Sequence, residues 1–433
     1  MKKFILDTNI FVSDPKCFLS FGKNTVVIPF VVLEELDHLK TKMDDAGKCA
    51  RDAVRKIESL RGEGKLKDGI ALSNGGSIVV SNEYDVDLDI DHSKNDNKII
   101  SLASLYLKRK EKVVVVSNDV NVRLKCDGLG IEAEAYENLK AFNNVSEAYT
   151  GILQVASINH VNKKELFPNQ YVIDEENNIW KWKDKVLVKV DKKGIVFGIK
   201  PRNIEQYCAL DALLDVDVPL VTISGRAGGG KTLLAIAAGL EQVIGGKQAY
   251  KKIIITRPME PVGREIGYLP GSVQEKLSPW LSPIKDNLEF LMDSKKSGDA
   301  QPRDKKKLTI TGTEAGAVAS SNPYLELLMA NGRIEMEAVS LIRGRTLPNT
   351  YIIIEESQNL TLHELKTIVT RVGEGSKIVL CGDLEQIDKP SLDSTTNGLA
   401  HAIEKFKDTD LAMHVTLQKG ERSPLATYAS QVL

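Results

Sequence analysis

Short β-branched runs alternate with helically spaced apolar positions through the first third of the chain. This spacing predicts strands at residues 4–6, 25–29, 78–81 and 113–116 and helices at 31–40, 48–60 and 98–108, with a turn-rich excursion around Gly62, Gly64, Asn74, Gly75 and Gly76. Such alternation builds a parallel sheet covered by helices. From 151 to 200 the pattern shortens to runs at 171–174, 178–182, 186–190 and 194–199, broken by EEN, KDK and DKK clusters, which predicts a small antiparallel β module. Beyond 201 the βα alternation returns, with strands expected at 220–223, 252–256, 351–354 and 377–381. The expectation is an α/β chain in three parts, 1–148, 149–200 and 201–433. No internal repeat is present, and the one long polar stretch is 294–307.

Composition narrows the classes. A chain of 433 residues exceeds the roughly 100 to 200 residues usual for one domain, and 42% hydrophobic residues permit real cores. Lys plus Arg number 58 against 59 Asp plus Glu, so the net charge of -1 excludes a uniformly basic coat or an acidic tail. Any charged binding surface must be local. The cysteines Cys17, Cys49, Cys126, Cys208 and Cys381 are too widely spaced for a CxxC zinc pair and are odd in number, which points away from a disulfide scaffold. The longest apolar run, 26–33, falls short of the roughly 18 residues of a membrane span, and the first residues reach Asp7 too early for a signal peptide. We expect a soluble cytoplasmic protein with no membrane partner.

The strongest motif is Gly225, Arg226, Ala227, Gly228, Gly229, Gly230, Lys231 and Thr232, which fits GxxxxGK[ST] between an apolar strand and the helical run LLAIAAGLEQVI. Glycines let backbone N–H groups approach phosphate oxygens, Lys231 suits the β and γ phosphates of ATP, and Thr232 suits Mg²⁺. A dinucleotide-binding reading leaves the lysine and threonine without a role. Such a site also needs a carboxylate at a neighbouring strand end. The run YIIIEESQN delivers Glu355 and Glu356 there, and a third strand, KIVLC, ends in Asp383, Glu385 and Gln386. Glu385 and Asp388 are better explained as solvated strand ends.

With GRAGGGKT, the segments ITRP (255–258), IGYLPG (266–271), IRGRT (342–346), EESQN, GDLEQID and KGERSPLA (419–426) resemble the PhoH-type ATPases, relatives of superfamily 1 helicases, across essentially all of 201–433. The resemblance implies a RecA/helicase-like P-loop NTPase domain. It assigns Glu356 as catalytic carboxylate, Gln386 as γ-phosphate sensor, Arg422 as arginine finger and Gln206 as a reader of adenine. The family usually has Asp and Ala where this chain has Glu355 and Ser357, so the metal-side carboxylate is one methylene longer.

In the first domain, Asp7, Asp96 and Asp119 fall at strand ends or helix starts, and Glu35 lies in the helix after Pro29. Convergent oxygen ligands without His or Cys suit Mg²⁺ or Mn²⁺, although isolated acidic residues are normally surface solvation. FILDTNIFV, VVLEELDHLK, NDNKIISLA and VVVVSNDVNVRLKCDGLGI resemble, in order, the motifs of PIN-domain nucleases, an α/β/α sandwich fold. By that resemblance Asp7, Glu35, Asp96 and Asp119 form the metal site, with Asn9 and Ser117 in support; Glu34 competes with Glu35. The run Asp85, Asp87, Asp89 and Asp91 lacks the EF-hand glycine and reads as a solvated edge.

Residues 178–200 hold seven lysines against two aspartates, with Trp180 and Trp182 on one strand face. Two readings stand: a stacking platform for single-stranded RNA, as in TRAM or OB-type modules that this region resembles, or a small core with solvated lysines. Lys295, Lys296, Arg303 and Lys305–Lys307 form a second basic patch, which reads as a solvated loop, and the prolines of 258–283 predict a non-helical excursion.

The whole chain resembles a PIN-PhoH fusion. The implied activity is ATP-dependent RNA unwinding coupled to a metal-dependent endoribonuclease. With one P-loop core in the chain, the arginine finger is expected from a neighbouring subunit in a homo-oligomer, plausibly a hexamer. The alternatives are a nucleotide-switched RNA-binding regulatory or assembly protein with weak turnover, and the same activities on DNA.

Overall fold

A computed structural model describes residues 1–43, 45–136, 140–142, 144–192, 194–246, 248–258, 273–298, 322–342, 344–389 and 392–420. The chain divides into two compact units, Met1–Lys140 and Ala141–Leu433.

The first unit is built on strands β1 (Lys3–Leu6), β2 (Thr25–Pro29), β3 (Ile70–Ala71), β4 (Ser77–Ser81), β5 (Val113–Val116) and β6 (Ala133–Glu134), in the order β3-β4-β2-β1-β5-β6. All pairings are parallel except β3 with β4. Helices α1 (Thr8–Ser13), α2 (Phe30–Leu39), α3 (Asp45–Leu60), α4 (Asn95–Lys108) and α5 (Val120–Gly128) complete the α/β/α fold. Val113–Val116 is buried throughout, as the continuous apolar run of a covered parallel strand requires. The side chains of Asp7 and Asp119 cap α1 and α5 by accepting backbone N–H groups, so the strand-to-helix turns that end β1 and β5 are set by acidic residues. The acidic run departs from the expected solvated edge at Asp85. This residue is buried and accepts from Ser104 Oγ and Lys108 Nζ at 2.6 Å each, which ties the loop to α4.

Within the second unit, β7 (Ile152–Gln154), β8 (Tyr171–Ile173), β9 (Ile179–Lys183) and β10 (Val186–Lys189) form a four-stranded sheet. It is mixed rather than purely antiparallel, because β7 pairs with β8 in parallel. The expected strand at 194–199 is instead a turn closed by a Val196–Ile199 bridge. Phe197 and Gly198 take positive φ (46° and 82°), which bends the chain and buries Val196 and Phe197 against Tyr171 and Ile173. Trp182 is buried with Leu166 and Val172, and Trp180 packs on them, so the small-core reading describes these rings. Lys181, between them, points to the opposite face and is paired with Asp211 and Asp215 at 3.0 and 2.9 Å.

The large sheet is parallel throughout, ordered β13-β12-β14-β15-β11-β16, with β11 (Leu220–Gly225), β12 (Lys252–Arg257), β13 (Ile334–Ala338), β14 (Thr350–Ile354), β15 (Lys377–Gly382) and β16 (Ala412–Leu417). Helices α6 (Ile204–Leu214), α7 (Lys231–Val243), α8 (Val273–Gly298), α9 (Pro323–Ala330), α10 (Val339–Ile342), α11 (Leu362–Val369) and α12 (Gly398–Phe406) surround it. Both faces are covered. Ile353 and Val379 join one core, while Ile352, Ile354, Ile378 and Leu380 join another. Helix α8 corrects the non-helical expectation for residues 273–283. Its later turns bury Ile284, Leu288, Leu291 and Met292 at helical spacing, and that burial outweighs the roughly 3 kcal/mol penalty of each of the helix's two interior prolines. All five cysteines are buried. Among the described residues no helix is long and apolar enough to cross a membrane.

Candidate nucleotide and carboxylate sites

The P-loop leaves β11 between β15 and β16, so it opens where crossover connections depart to opposite sides of the sheet, the usual ligand crevice of open parallel sheets. Gly225 has φ of 139°, and a Cβ there would collide with the Leu417 backbone; Gly230, at φ 88°, caps α7. A side chain at either position would strain the loop. Lys231 Nζ folds back to the carbonyls of Gly225 and Arg226 at 2.6 and 3.1 Å. Thr232 Oγ1 donates to Glu355 Oε2 at 2.5 Å, joining the start of α7 to the end of β14.

Glu355 is buried, and burial pushes its carboxyl up to about 7, with Thr232 opposing the shift and Glu356 adding to it. Its second oxygen, Oε1, has no hydrogen-bond partner among the described residues, and neither has Asp383 Oδ2. Buried, partnerless carboxylate oxygens beside a threonine hydroxyl suit a divalent cation, and the glycine loop with Lys231 suits a nucleoside triphosphate. Such an ion supplies charge neutralisation to phosphate oxygens. Glu355, Thr232 and the loop amides are the groups placed to hold the pair.

Glu356 stands in the left-handed region (φ 49°, ψ 39°), uncommon for a residue with a side chain and frequent at functional sites. Its Oε2 accepts from Gln358 Nε2 at 2.7 Å, and its Oε1 lies 3.7 Å from Arg257 Nη2. Gln358 also donates to the Gln386 carbonyl at 2.7 Å and accepts from Asp383 N at 3.1 Å, so one amide organises the ends of β14 and β15. The Gln386 side chain is exposed. Asp388 is more than a solvated strand end: it exchanges reciprocal bonds with Asn359 at 2.8 and 3.0 Å. Glu385 is exposed and 3.6 Å from Arg226. Gln206 is buried, donating to Gly229 O at 3.1 Å and accepting from Arg202 N at 2.9 Å. In this arrangement it braces the P-loop. Arg422, the IGYLPG segment, Arg303, Lys305, Lys306 and Lys307 lie outside the described residues.

In the first unit Asp7 is the hub. Its carboxylate accepts from Ser117 Oγ (2.5 Å), Asn9 Nδ2 (2.7 Å) and Thr8 N (2.5 Å). Burial is the main reason its carboxyl rises to about 6; the bonds from Ser117 and Thr8 oppose this, while the charges of Asp96 and Glu35 add to it. Asp119 joins through Ser117, whose Oγ accepts the Asp119 N–H at 3.1 Å. Glu35 is held by Thr8 Oγ1 and by Asn95 Nδ2 at 2.7 Å, and Glu34 enters none of these bonds. Asp96 lies 3.8 Å from Lys125 Nζ. The donor set is of the kind a hard divalent ion takes. Among the described residues, however, no three His, Cys, Asp or Glu side chains gather closely enough to hold a metal ion.

Asn95, Lys125, Arg257 and Gln358 carry no assignment from the sequence. The last two sit inside ITRP and EESQN, where motif membership was the available signal.

A PhoH-like protein family model matches residues 198–432 and a PIN domain model matches 4–137. The chain is 41% identical to Protein PhoH2 of Bacillus subtilis over the full length of both, and 31% identical to Protein PhoH2 of Mycolicibacterium smegmatis over all of this chain and 97% of that one. The Pif1 helicase from Candida albicans aligns with 51% of this chain and 40% of its own at 16% identity and a TM-score of 0.25, too slight a likeness to carry weight. The matched segments coincide with the P-loop crevice and the Asp7 cluster, and the chain belongs to the PhoH-like protein family, with a PIN domain at its N-terminal end.

Proposed function

We propose that the chain is an ATP-driven RNA-unwinding enzyme coupled to a Mg²⁺- or Mn²⁺-dependent endoribonuclease. The observation that carries this reading is the constellation of Lys231, Thr232, Glu355 and Glu356 at the carboxyl edge of the large parallel sheet. In it Thr232 and Glu355 hold the ion, Lys231 and the loop amides hold the phosphates, Glu356 activates water, Gln386 senses the γ-phosphate and Arg422 acts as arginine finger across a subunit boundary. The Asp7 cluster supports the nuclease half, with Glu35, Asp96 and Asp119 turning inward as an ion binds. We read residues 1–148 as nuclease, 149–200 as adaptor and 201–433 as motor, working in the cytoplasm as a ring-like homo-oligomer, plausibly a hexamer.

A second reading is a nucleotide-switched RNA-binding or assembly protein with slow turnover. It is favoured by the engagement of Glu356 with Arg257 and Gln358. DNA in place of RNA is the third, since nothing among the described residues of either site selects the sugar. The test is cleavage of a 5′-overhang RNA duplex and of single-stranded RNA, with Mg²⁺ or Mn²⁺, with and without ATP. Wild type, Lys231→Ala and Asp7→Asn are compared, and matched DNA serves as competitor. ATP-dependent cutting of the duplex, lost in both variants, supports the coupled enzyme. ATP binding with no RNA opened or cut favours the switch.

A further inference from the structure

Arg257 is the last residue of β12, the strand beside β14, and the Glu355 N–H donates to Thr256 O at 2.8 Å, binding the turn that carries Glu356 to the end of β12. The guanidinium lies 3.7 Å from Glu356 Oε1, and Gln358 holds the other oxygen. A general base needs a carboxylate oxygen within hydrogen-bond reach of water. Here both oxygens are drawn toward protein donors.

We infer that Arg257 is shared. Without nucleic acid it holds Glu356 back, and a nucleic-acid phosphate competes for the guanidinium and releases the carboxylate for ATP hydrolysis. The inference rests on the nucleic-acid reading above and adds the means by which the polymer controls turnover. The pair is loose and its side chains are 30% and 36% exposed, so the contact is weak enough for another anion to displace. A guanidinium presents donors in a planar fork that matches phosphate. Arg257 acts on the reaction through Glu356 and is therefore a positioning residue.

Competition has a readout that needs no nucleotide. If Glu356 and phosphate share Arg257, Glu356→Gln tightens binding of single-stranded RNA by about 1.5- to 5-fold, the range for exposed ion pairs. Arg257→Ala weakens binding and makes its salt dependence shallower by about one phosphate contact. The double variant binds no more tightly than Arg257→Ala alone. Arg257→Lys, which keeps the charge and loses the fork, falls between, and it serves if the alanine variant does not fold. In the ATPase assay Arg257→Ala raises the rate without RNA and reduces stimulation by RNA. Wild-type RNA binding with Glu356→Gln neutral, or with equal gains in both backgrounds, overturns the sharing while leaving the nucleic-acid reading intact. A wild type that binds no RNA overturns both.

Discussion

Replacing Asp7 by Asn separates what the residue does for chemistry from what it costs the fold. Burial raises its carboxyl from 3.8 to about 6. Above pH 6 the native state carries a charge that burial disfavours by roughly 3 kcal/mol. The sign follows from proton uptake. Between 3.8 and 6 the folded protein binds the proton and the unfolded chain does not, so stability falls as pH rises through that window and stays low above it. Below 3.8 both states are protonated and the penalty vanishes. An uncharged amide never incurs it. It does lose part of the bonding from Ser117, Asn9 and Thr8, at about 0.5–1.5 kcal/mol per bond. Near pH 7.5 Asp7→Asn should therefore stabilise the first unit by about 1–2 kcal/mol, raising its melting midpoint by several degrees. Near pH 4.5 the advantage should shrink by about 2 kcal/mol and disappear or reverse. Calorimetry at the two pH values measures this, and cleavage should be lost while ATPase persists. Mn²⁺ should raise the wild-type midpoint more than that of the variant. Equal destabilisation at both pH values would refute burial as the source of the shift, and persistent cutting would move the nuclease elsewhere.

The remaining predictions concern the second unit. Lys231→Ala removes a cation whose hydrogen bonds among the described residues go to loop carbonyls, so the melting midpoint should hold while ATPase falls by roughly 10²–10³ or more; unchanged hydrolysis would sink the P-loop assignment. Gln206→Ala should weaken ATP and GTP alike by about 2- to 13-fold, as loss of a loop brace would; collapse of ATP preference with GTP untouched would restore the adenine-reading role. Lys377 is fully buried against the Ala212 carbonyl, and burial lowers its ammonium to about 7. The unfolded chain thus binds the proton more readily between pH 7 and 10.5, and stability rises with pH across that window. Lys377→Met should stabilise the unit by up to about 4 kcal/mol at pH 7, with the gain fading toward pH 10; a denaturation series showing no pH dependence in the gain would refute it.

Legibility followed how local each determinant is. β-branched runs such as Thr25–Pro29 and Val113–Val116 announce themselves because a covered parallel strand is apolar on both faces. Ile334–Ala338 does not, since Glu335 and Glu337 interrupt it; their charges are met by Lys252 and Arg345, whose Nη1 donates to both Glu337 carboxylate oxygens at 2.8 Å. Ala412–Leu417 is obscured by His414, whose imidazole is held neutral by burial, to about 3, between Thr222 and Thr416. Lys181 looked like one of many solvated lysines, and only its distance to Asp211 and Asp215 shows otherwise. The same limit applies to the sites. The P-loop is local and was readable from its spacing; Arg257 and Gln358 take their roles from Glu356, on another element or across a tight turn.

Where local rules are broken without an ion partner, function is the physical explanation to test first. Among the described residues, the carboxylates that burial pushes upward are Asp7 and Glu355, one in each unit. Each follows the carboxyl end of an interior parallel strand, β1 and β14, and Asp119 caps α5 from a half-buried position, so capping alone does not account for the burial of Asp7. Lys181, by contrast, is buried with its compensation beside it in Asp211 and Asp215. A divalent cation would supply at Asp7 and Glu355 what those aspartates supply at Lys181. Metal-dependent stabilisation should accordingly appear in both units, and each effect should be lost on neutralising its own carboxylate by Asp7→Asn or Glu355→Gln.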